Sequence, residues 1–219
     1  MANNFDKNWT TVNNNYPLND KEVERYISVK PSSNQLALVD KPFYTFMHFG
    51  MNTATDREWG AGVEKATDFT IKSINAKQWV ETAKSAGATG VILTCKHHDG
   101  FCLWPSEYTS FCVKNSSYKG DIVKEVSDEC HKQGMDFGVY LSPWDMHDER
   151  YGTDAYNDYF CNQLTELLTN YGEIFEVWFD GAKVQTLRNL NTIGKDITTL
   201  SVNFSQKPIL LFAVPISVG

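Results

Sequence analysis

Two segments of this chain place titratable side chains directly after apolar, strand-like runs. His97 and His98, two of the five histidines in the chain, follow the apolar run 91–95 after a single lysine. Asp180 follows a second strand-like run, 174–179, roughly eighty residues further on. Both α/β barrels and open α/β sheets place their active sites beyond the carboxyl ends of parallel strands. The two segments therefore predict one shared pocket.

The residue types in this predicted pocket favour the binding and cleavage of a polar small molecule. An imidazole ring can both donate and accept a hydrogen bond, which suits the recognition of hydroxyl groups. A carboxylate held at the end of a strand can act as a nucleophile. The simpler alternatives are that the histidines only pack in the core and that Asp180 caps a following helix.

The hydrophobic pattern alternates between strand-like and helix-like segments along most of the chain. Two predicted helices have capping residues at their starts, namely Asn75 with Gln78 three positions later, and Asp121 before an apolar stripe. Alternating strands and helices are typical of a parallel sheet covered by helices. We predict strands at 44–49, 91–95, 137–141 and 174–179, and helices at 76–86, 122–133 and 154–170.

The spacing of the predicted strands, roughly 40 residues from one start to the next, fits the βα units of a (β/α)8 TIM barrel with long loops. Four such units are visible, whereas a closed barrel needs eight strands and about 250 residues. We therefore predict an α/β fold that forms the N-terminal half of a TIM barrel. The predicted organisation is an N-terminal leader at 1–40, a partial barrel domain at 41–182 and a divergent tail at 183–219.

The segments outside the partial barrel carry little pattern. The leader contains a helix-like stretch at 21–27 and a loop at 31–33, and the tail contains an apolar run at 208–214 that can form at most one further strand. A barrel that is not closed leaves unpaired strand edges, and such edges template association. We therefore expect this chain to self-associate.

The composition disfavours several classes of function. A formal net charge of −7 and a pI near 5.2 disfavour nucleic acid as a partner, because nucleic acid binding needs a basic face. The first seven residues lack the apolar core of a signal peptide, and the apolar run near the C-terminus is too short to span a bilayer. We therefore expect a soluble, cytoplasmic protein without a membrane partner. The five cysteines include no Cys-x-x-Cys pair, which predicts neither a disulfide framework nor a zinc knuckle.

Five motifs lie in order along the predicted partial barrel. They are Phe46-Met47-His48-Phe49-Gly50-Met51-Asn52-Thr53, Asp56-Arg57-Glu58-Trp59-Gly60, Lys96-His97-His98-Asp99-Gly100-Phe101-Cys102-Leu103-Trp104, Gly138-Val139-Tyr140-Leu141-Ser142-Pro143-Trp144 and Val177-Trp178-Phe179-Asp180-Gly181-Ala182. Together they resemble the motifs of glycoside hydrolase family 29, the α-L-fucosidases. Any one motif alone would be a weak signal, whereas five in order with plausible gaps are specific. The resemblance runs from about residue 31 to residue 182.

The resemblance implies a retaining α-L-fucosidase that cleaves terminal α-L-fucosides of glycans or glycoconjugates without a metal or cofactor. Asp180 resembles the family's nucleophile, and retaining glycosidases hold a second carboxyl group about 5 to 5.5 Å from the first. The form of the second motif resembles the branch of the family that prefers α-1,3/1,4-linked fucose. The other candidate site residues are His48, His97 and His98 as ligands of sugar hydroxyls, Trp59, Trp104 and Trp178 as rings that could stack on the pyranose, Tyr140 beside the nucleophile, and Glu58 near the sugar.

The C-terminal part of the chain departs from the family's pattern. Family members supply the general acid/base, a glutamate, some tens of residues beyond the nucleophile, but residues 181–219 contain no glutamate. Asp196 is the only acidic residue in that stretch. Glu58 is the motif carboxylate that could act as a partial acid, so we place it with Asp180 as a catalytic candidate. The chain is expected to be a truncated or altered catalytic domain with weak or no activity.

Two other classes of function compete with this interpretation. A vestigial protein could keep the fucose-binding subsite and lack turnover. A metal-dependent TIM-barrel hydrolase could use histidines and a strand-end aspartate, but such sites usually need a His-x-His spacing that turns both rings the same way. The adjacent His97 and His98 would point to opposite faces of a regular strand, which disfavours the metal site.

Overall fold

The protein is described by a computed structural model that defines residues 19–28, 30–31, 33–41, 43–180 and 209–212. A five-stranded parallel sheet forms its centre. Its strands are β1 (Thr45–Met47), β2 (Gly90–Lys96), β3 (Asp136–Leu141), β4 (Glu176–Phe179) and β5 (Ile209–Phe212). The helices are α1 (Asp20–Ile27), α2 (Ser33–Val39), α3 (Met51–Thr55), α4 (Ala76–Ser85), α5 (Ile122–Lys132) and α6 (Asp154–Asn170), with 3-10 turns at Ala66–Asp68 and Val113–Asn115.

The strands lie beside one another in chain order, β1-β2-β3-β4-β5. The crossovers from β1 to β2, β2 to β3 and β3 to β4 each carry a long helix, namely α4, α5 and α6. Parallel strands in chain order with a helix in each crossover are the arrangement of a (β/α)8 barrel. The predicted α/β class with a partial barrel is therefore confirmed.

The bounds of the seven predicted elements agree with the structure to within two residues at each end. The helix caps explain this agreement for α4 and α5. The Asn75 side chain accepts a hydrogen bond from the Gln78 amide at 3.0 Å, and the Asp121 side chain accepts one from the Lys124 amide at 2.9 Å. Each cap satisfies a backbone donor that the helix itself leaves without a partner.

The two faces of the sheet have different surroundings. Alternate residues of β2, including Val91 and Leu93, join a buried cluster that also contains Val123 of α5. On β4 the Phe179 ring packs against Phe160 of α6, with 5.8 Å between ring centroids. The helices therefore cover one face of the sheet. Because successive side chains of a strand point to opposite faces, Trp178, which precedes Phe179, lies on the other face. Asp180 continues this second register.

Some elements differ from the prediction. The helix-like stretch at 21–27 is confirmed as α1, but α2 begins at Ser33, where the prediction had a loop within the leader. Helix α3 was not predicted, because it has only five residues and carries no periodic apolar stripe. The apolar run at 208–214 contains β5, which pairs in parallel with β4. The rest of the tail, including Asp196, lies outside the described residues.

The described helices differ in length and polarity, and none of them has the length and apolar content that a bilayer crossing requires.

The two outer strands of the described sheet lead to a prediction about assembly. In the described part of the chain, β1 and β5 each pair with a strand on one side only. Because unpaired strand edges template further pairing, we expect the 219-residue chain to form dimers or larger assemblies. Sedimentation equilibrium over a tenfold range of concentration measures this directly. A monodisperse monomer with a sharp cooperative thermal transition would contradict the prediction.

Candidate active site

The ends of β2, β3 and β4 bring three of the predicted site residues together. The Tyr140 hydroxyl donates a hydrogen bond to Asp180 Oδ2 at 3.1 Å. His98 Nε2 lies 3.9 Å from the same carboxylate oxygen. The Asp180 side chain is 32 % exposed, so a ligand can reach this carboxylate although Tyr140 hydrogen-bonds to one of its oxygens.

His48 reaches the same group from the loop after β1. Its ring lies 4.5 Å from that of His97, measured between centroids, at a steep angle of 78°. The loop is tied to β2 by Thr94, whose hydroxyl donates to the Phe49 carbonyl at 2.9 Å and accepts from the Phe49 amide at 3.0 Å. One buried threonine therefore joins the first sequence motif to β2, the strand that leads into the third motif.

The two adjacent histidines do not point to opposite faces, so that expectation is wrong. The His97 and His98 rings lie 4.0 Å apart between centroids with 33° between their planes. The reason is that β2 ends at Lys96 and both histidines lie in the irregular segment beyond it, where the alternation of a strand no longer applies. Within the described part of the chain, no group of three histidine, cysteine or acidic side chains is arranged to hold a metal ion.

Burial keeps these histidines uncharged near neutral pH. Removal from water and the neighbouring His98 and His48 lower the pKa of His97 to about 3. Burial also lowers the pKa values of His48 and His98, although the Asp180 carboxylate opposes this effect in both cases. Burial and the charge of Asp180 raise the pKa of Tyr140. The site is therefore a set of neutral hydrogen-bonding groups around one carboxylate.

Aromatic rings form the wall of the site beside His98. The Trp59 ring meets Trp144 at 5.6 Å and His98 at 5.9 Å between centroids, nearly edge-on in both cases. Trp59 is 49 % exposed. On the inner sheet face, the Trp178 ring packs edge-on against Phe46 at 5.5 Å. Trp59 therefore has a face available to a ligand, and Trp178 lies in register with Asp180.

Trp104 and Glu58 differ in their surroundings from the other predicted site residues. Trp104 is only 2 % exposed, and its indole nitrogen donates to Glu166 of α6 at 2.8 Å. Its ring therefore belongs to the helix-covered core and has no open face for a sugar. Glu58 is exposed, and its backbone carbonyl lies 3.4 Å from the Asn52 amide nitrogen. That contact links the Glu58 segment to α3, whose Asn52 side chain also contacts His48.

Three residues that contact the site histidines were not predicted as site residues. Asn52 contacts His48 through its side-chain amide, Ser142 contacts His98, and the Trp144 ring lies 4.8 Å from that of His98. All three lie within the quoted motifs, Ser142 and Trp144 in the loop after β3 and Asn52 in the short helix α3 that follows β1. Their position just beyond a strand end was the signal that could have identified them.

A buried ion pair anchors the loops after β2 and β3 to each other. Lys96, fully buried, donates to Asp145 at 3.1 Å and to Gln163 of α6 at 2.9 Å. Asp145 in turn accepts hydrogen bonds from the backbone amides of His147 and Asp148. Lys96 immediately precedes the two site histidines, so this pair holds the segment that carries them.

The replacement Lys96→Met should strongly destabilise the protein. It leaves the Asp145 carboxylate buried without its cation, and breaking such a pair typically costs about 3 to 5 kcal/mol. Urea unfolding followed by fluorescence gives the change in free energy. Lys124→Met is the matched control, because Lys124 pairs with Asp128 on an exposed helix face, where the cost should stay below about 0.5 kcal/mol. Equal effects of the two changes would contradict the anchoring role of Lys96.

A second buried carboxyl group, Asp99, should make stability depend on pH. Burial, reinforced by the charges of Asp145 and Glu64 and opposed by backbone hydrogen bonds, raises the pKa of Asp99 to about 7. A carboxyl group with a raised pKa favours the folded state most below its unfolded pKa, about 3.9. This contribution is lost as the pH rises from there to about 7, by at most about 1.4 kcal/mol per pH unit.

The replacement Asp99→Asn tests this dependence, because an amide keeps an acceptor for the Phe101 amide and does not ionise. The free energy of unfolding of the variant, minus that of the unchanged protein, should increase between pH 4 and pH 7 and level off above pH 8. Asp128→Asn, on an exposed helix face, should show no such trend. A difference that is constant with pH would mean that Asp99 is ionised in the folded protein throughout this range.

The comparisons with known proteins follow the same motifs. The profile of the alpha-L-fucosidase family matches residues 41–209. Alpha-L-fucosidase 1 of Arabidopsis thaliana is 52 % identical over 157 residues, which are 70 % of this chain and 31 % of the plant protein. Plasma alpha-L-fucosidase of Homo sapiens is 33 % identical over 124 residues, 52 % of this chain and 26 % of the human protein. The chain thus spans less than a third of the length of either relative.

Solved structures agree with these sequence comparisons. A glycoside hydrolase 29 family member from a rumen bacterium superposes with a TM-score of 0.72 at 46 % identity, covering 78 % of this chain and 34 % of that one. A GH29 fucosidase of Ruminococcus gnavus in complex with fucose superposes with a TM-score of 0.72 at 35 % identity, covering 83 % and 43 %. Because the family profile covers most of the chain and the same motifs line the end of its parallel sheet, the chain belongs to the alpha-L-fucosidase family, glycoside hydrolase family 29.

Proposed function

We propose that this chain carries the nucleophile half of a retaining α-L-fucosidase that acts on terminal α-L-fucosides of glycans or glycoconjugates. The observation that supports this most directly is the arrangement at Asp180. Its carboxylate is partly exposed, accepts a hydrogen bond from Tyr140, and has His98 at 3.9 Å. A hydrogen-bonded but accessible carboxylate among neutral ligands of hydroxyl groups is what glycosyl transfer to the protein requires.

In the proposed reaction an Asp180 oxygen attacks the anomeric carbon of fucose, and the bond from that carbon to the leaving oxygen breaks. The leaving oxygen takes up a proton, and Glu58 is the proposed, partial donor. Water then attacks the anomeric carbon of the fucosyl ester, and the bond from that carbon to Asp180 breaks. One proton of the water passes to Glu58, so fucose is released and both carboxyl groups return to their starting states. Two inversions at one carbon give net retention.

The surrounding groups have distinct proposed roles in this reaction. The Tyr140 hydroxyl donates to one Asp180 oxygen and thereby holds the carboxylate in place. The histidines, which burial keeps neutral, bind sugar hydroxyls without adding positive charge beside an oxocarbenium-like transition state. Trp59 offers an exposed ring for the apolar face of the sugar. The preference for α-1,3/1,4 linkages belongs to the proposal as well and rests on the Asp56–Gly60 motif.

The test is covalent trapping. Incubation with a 2-deoxy-2-fluoro fucosyl donor that carries an activated leaving group should add one fluorofucosyl group to the protein, and peptide mapping should place it on Asp180. The fluorine slows both steps because both transition states are oxocarbenium-like, whereas the activated leaving group restores the rate of ester formation only. Labelling of another residue, or no labelling at concentrations where the donor binds, would overturn the assignment.

One observation favours a second function. Residues 181–219 contain no glutamate, so the chain could bind fucose and lack turnover. Calorimetry with fucose, alongside hydrolysis of an aryl fucoside, separates the two functions. Binding together with hydrolysis supports the enzyme, and binding without any hydrolysis supports the fucose-binding protein.

A further inference from the structure

The hydrogen positions around His98 follow from the groups that surround its ring. Ser142 Oγ lies 2.7 Å from His98 Nδ1 and 2.7 Å from the carbonyl oxygen of Trp144. A serine hydroxyl has one hydrogen, and a carbonyl oxygen can only accept. The Ser142 hydrogen must therefore point to Trp144, so Ser142 accepts the hydrogen of His98 Nδ1. In the neutral ring this leaves Nε2 with a lone pair.

The same reasoning gives the opposite result for His48. The side-chain nitrogen of Asn52 lies 3.2 Å from His48 Nδ1 and 3.4 Å from the backbone carbonyl oxygen of Glu58. Because that carbonyl can only accept, the amide presents its nitrogen to it, with a second hydrogen directed at His48 Nδ1, although this orientation leaves Asn52 Oδ1 buried without a hydrogen-bond partner among the described residues. His48 Nδ1 therefore accepts, and the hydrogen of the neutral ring is on Nε2.

We propose that Ser142 and Asn52 are positioning residues that fix the two site histidines in opposite tautomers. His98 then presents an acceptor nitrogen to the ligand, and His48 presents a donor N–H. Neither Ser142 nor Asn52 needs to touch the sugar, since each acts through the far nitrogen of an imidazole ring. This inference rests on the proposed function only for the identity of the ligand.

The opposite tautomers predict which replacements in a sugar are tolerated. A hydroxyl bound to His98 must donate its hydrogen, so replacement by fluorine should weaken binding as much as replacement by hydrogen. A hydroxyl bound to His48 must accept, and fluorine keeps a weak acceptor there. We expect fluorine to be tolerated better than hydrogen at that position. A hydroxyl can satisfy both sites because it donates and accepts.

The direct test is the tautomeric state of the rings, measured by magic-angle-spinning NMR on protein labelled with ¹⁵N in its histidines. This method does not depend on the size of any assembly, and the chain has only five histidines to assign. At pH 7.5 and without ligand, we expect the hydrogen on Nδ1 in His98 and on Nε2 in His48. The opposite assignment for either ring would overturn the proposal for that ring.

Substitution at Ser142 tests the cause. In Ser142→Ala the His98 hydrogen should move to Nε2, because Nδ1 loses its acceptor and the Asp180 carboxylate lies 3.9 Å from Nε2. Ser142→Thr keeps a hydroxyl and should restore the original tautomer. The matched control is Ser127→Ala, since Ser127 is also fully buried but bonds a helix carbonyl of α5. If Ser142→Ala leaves the His98 tautomer unchanged, the proposal is wrong.

Binding data extend the test to the ligand. In Ser142→Ala, fucose affinity should fall roughly 5- to 10-fold, the worth of one ordinary hydrogen bond. In this variant, replacing a fucose hydroxyl by hydrogen or by fluorine should cost less affinity than it does in the unchanged protein. We expect this smaller loss at one ring position only, the hydroxyl that His98 binds. The NMR signals of the two tautomers do not depend on turnover, so this test is separate from that of the proposed activity. If both histidines have the expected tautomers but the fluorofucosyl donor never labels Asp180, the positioning roles are supported and the proposed activity is contradicted.

Discussion

Replacing Asp180 with glycine should abolish hydrolysis of an activated aryl fucoside, with a loss of about 10⁴-fold or more. The covalent route needs an oxygen nucleophile at this position, and removal of a nucleophile that works as part of a unit removes nearly all of the chemical rate. The measurement is the initial rate of nitrophenol release at saturating substrate. An unchanged rate in Asp180→Gly would show that the nucleophile is another residue.

Added azide provides an internal check on the same variant. The space left by the carboxylate admits a small anion, which can attack the anomeric carbon directly and produce an azido sugar of inverted configuration. Partial rescue with inversion, identified by NMR of the product, is the expected result. Asp128→Gly is the matched control, because this aspartate lies on the exposed face of α5, paired with Lys124. Its rate should stay within about twofold and should not respond to azide.

The second large effect concerns the leaving group. General acid catalysis contributes about 10²- to 10⁴-fold, and it matters most when the leaving oxygen is a sugar alkoxide. With no glutamate in residues 181–219, the 219-residue chain should cleave nitrophenyl fucoside weakly and fucosylated oligosaccharides hardly at all. Comparing kcat/KM for the two substrate classes measures the deficit.

Glu58→Gln distinguishes the possible sources of the proton. If Glu58 is a partial acid, this change should lower the remaining oligosaccharide activity and leave the aryl fucoside rate nearly unchanged. Glu107→Gln serves as the control, since Glu107 is an exposed carboxylate paired only loosely with Lys114. Efficient oligosaccharide cleavage that Glu58→Gln leaves intact would overturn this account of the site.

The sequence by itself determined four of the strands, the three long helices and the end of the sheet where the candidate site lies. Helices α4 and α5 begin at caps that act over three residues, and such local contacts can be predicted from spacing. The fully buried strand β2 is built on the apolar run 91–95 and ends at Lys96, just before His97. The sequence also predicted that His98 and Asp180 lie beyond strand ends. Since parallel strands bring their carboxyl ends to one edge of the sheet, it predicted that these two residues lie at the same edge.

Only the tertiary structure decided which side chains line the candidate site and which belong to the core. Trp104 and Trp59 are both tryptophans in family motifs, yet one bonds Glu166 in the core and the other exposes its ring beside His98. Burial depends on which helix packs over a residue, and that packing joins positions far apart in the chain. Residue type alone does not contain this information.

The hydrogen-bonding states of the histidines also depended on the tertiary structure. Ser142 lies 44 residues from His98, and the contact between them forms only when β2 and β3 pair. No local pattern gives that distance, since a one-residue change of register turns a side chain to the opposite face of the sheet. Sequence therefore determined where the chemistry gathers, and three-dimensional packing determined which atoms donate and which accept.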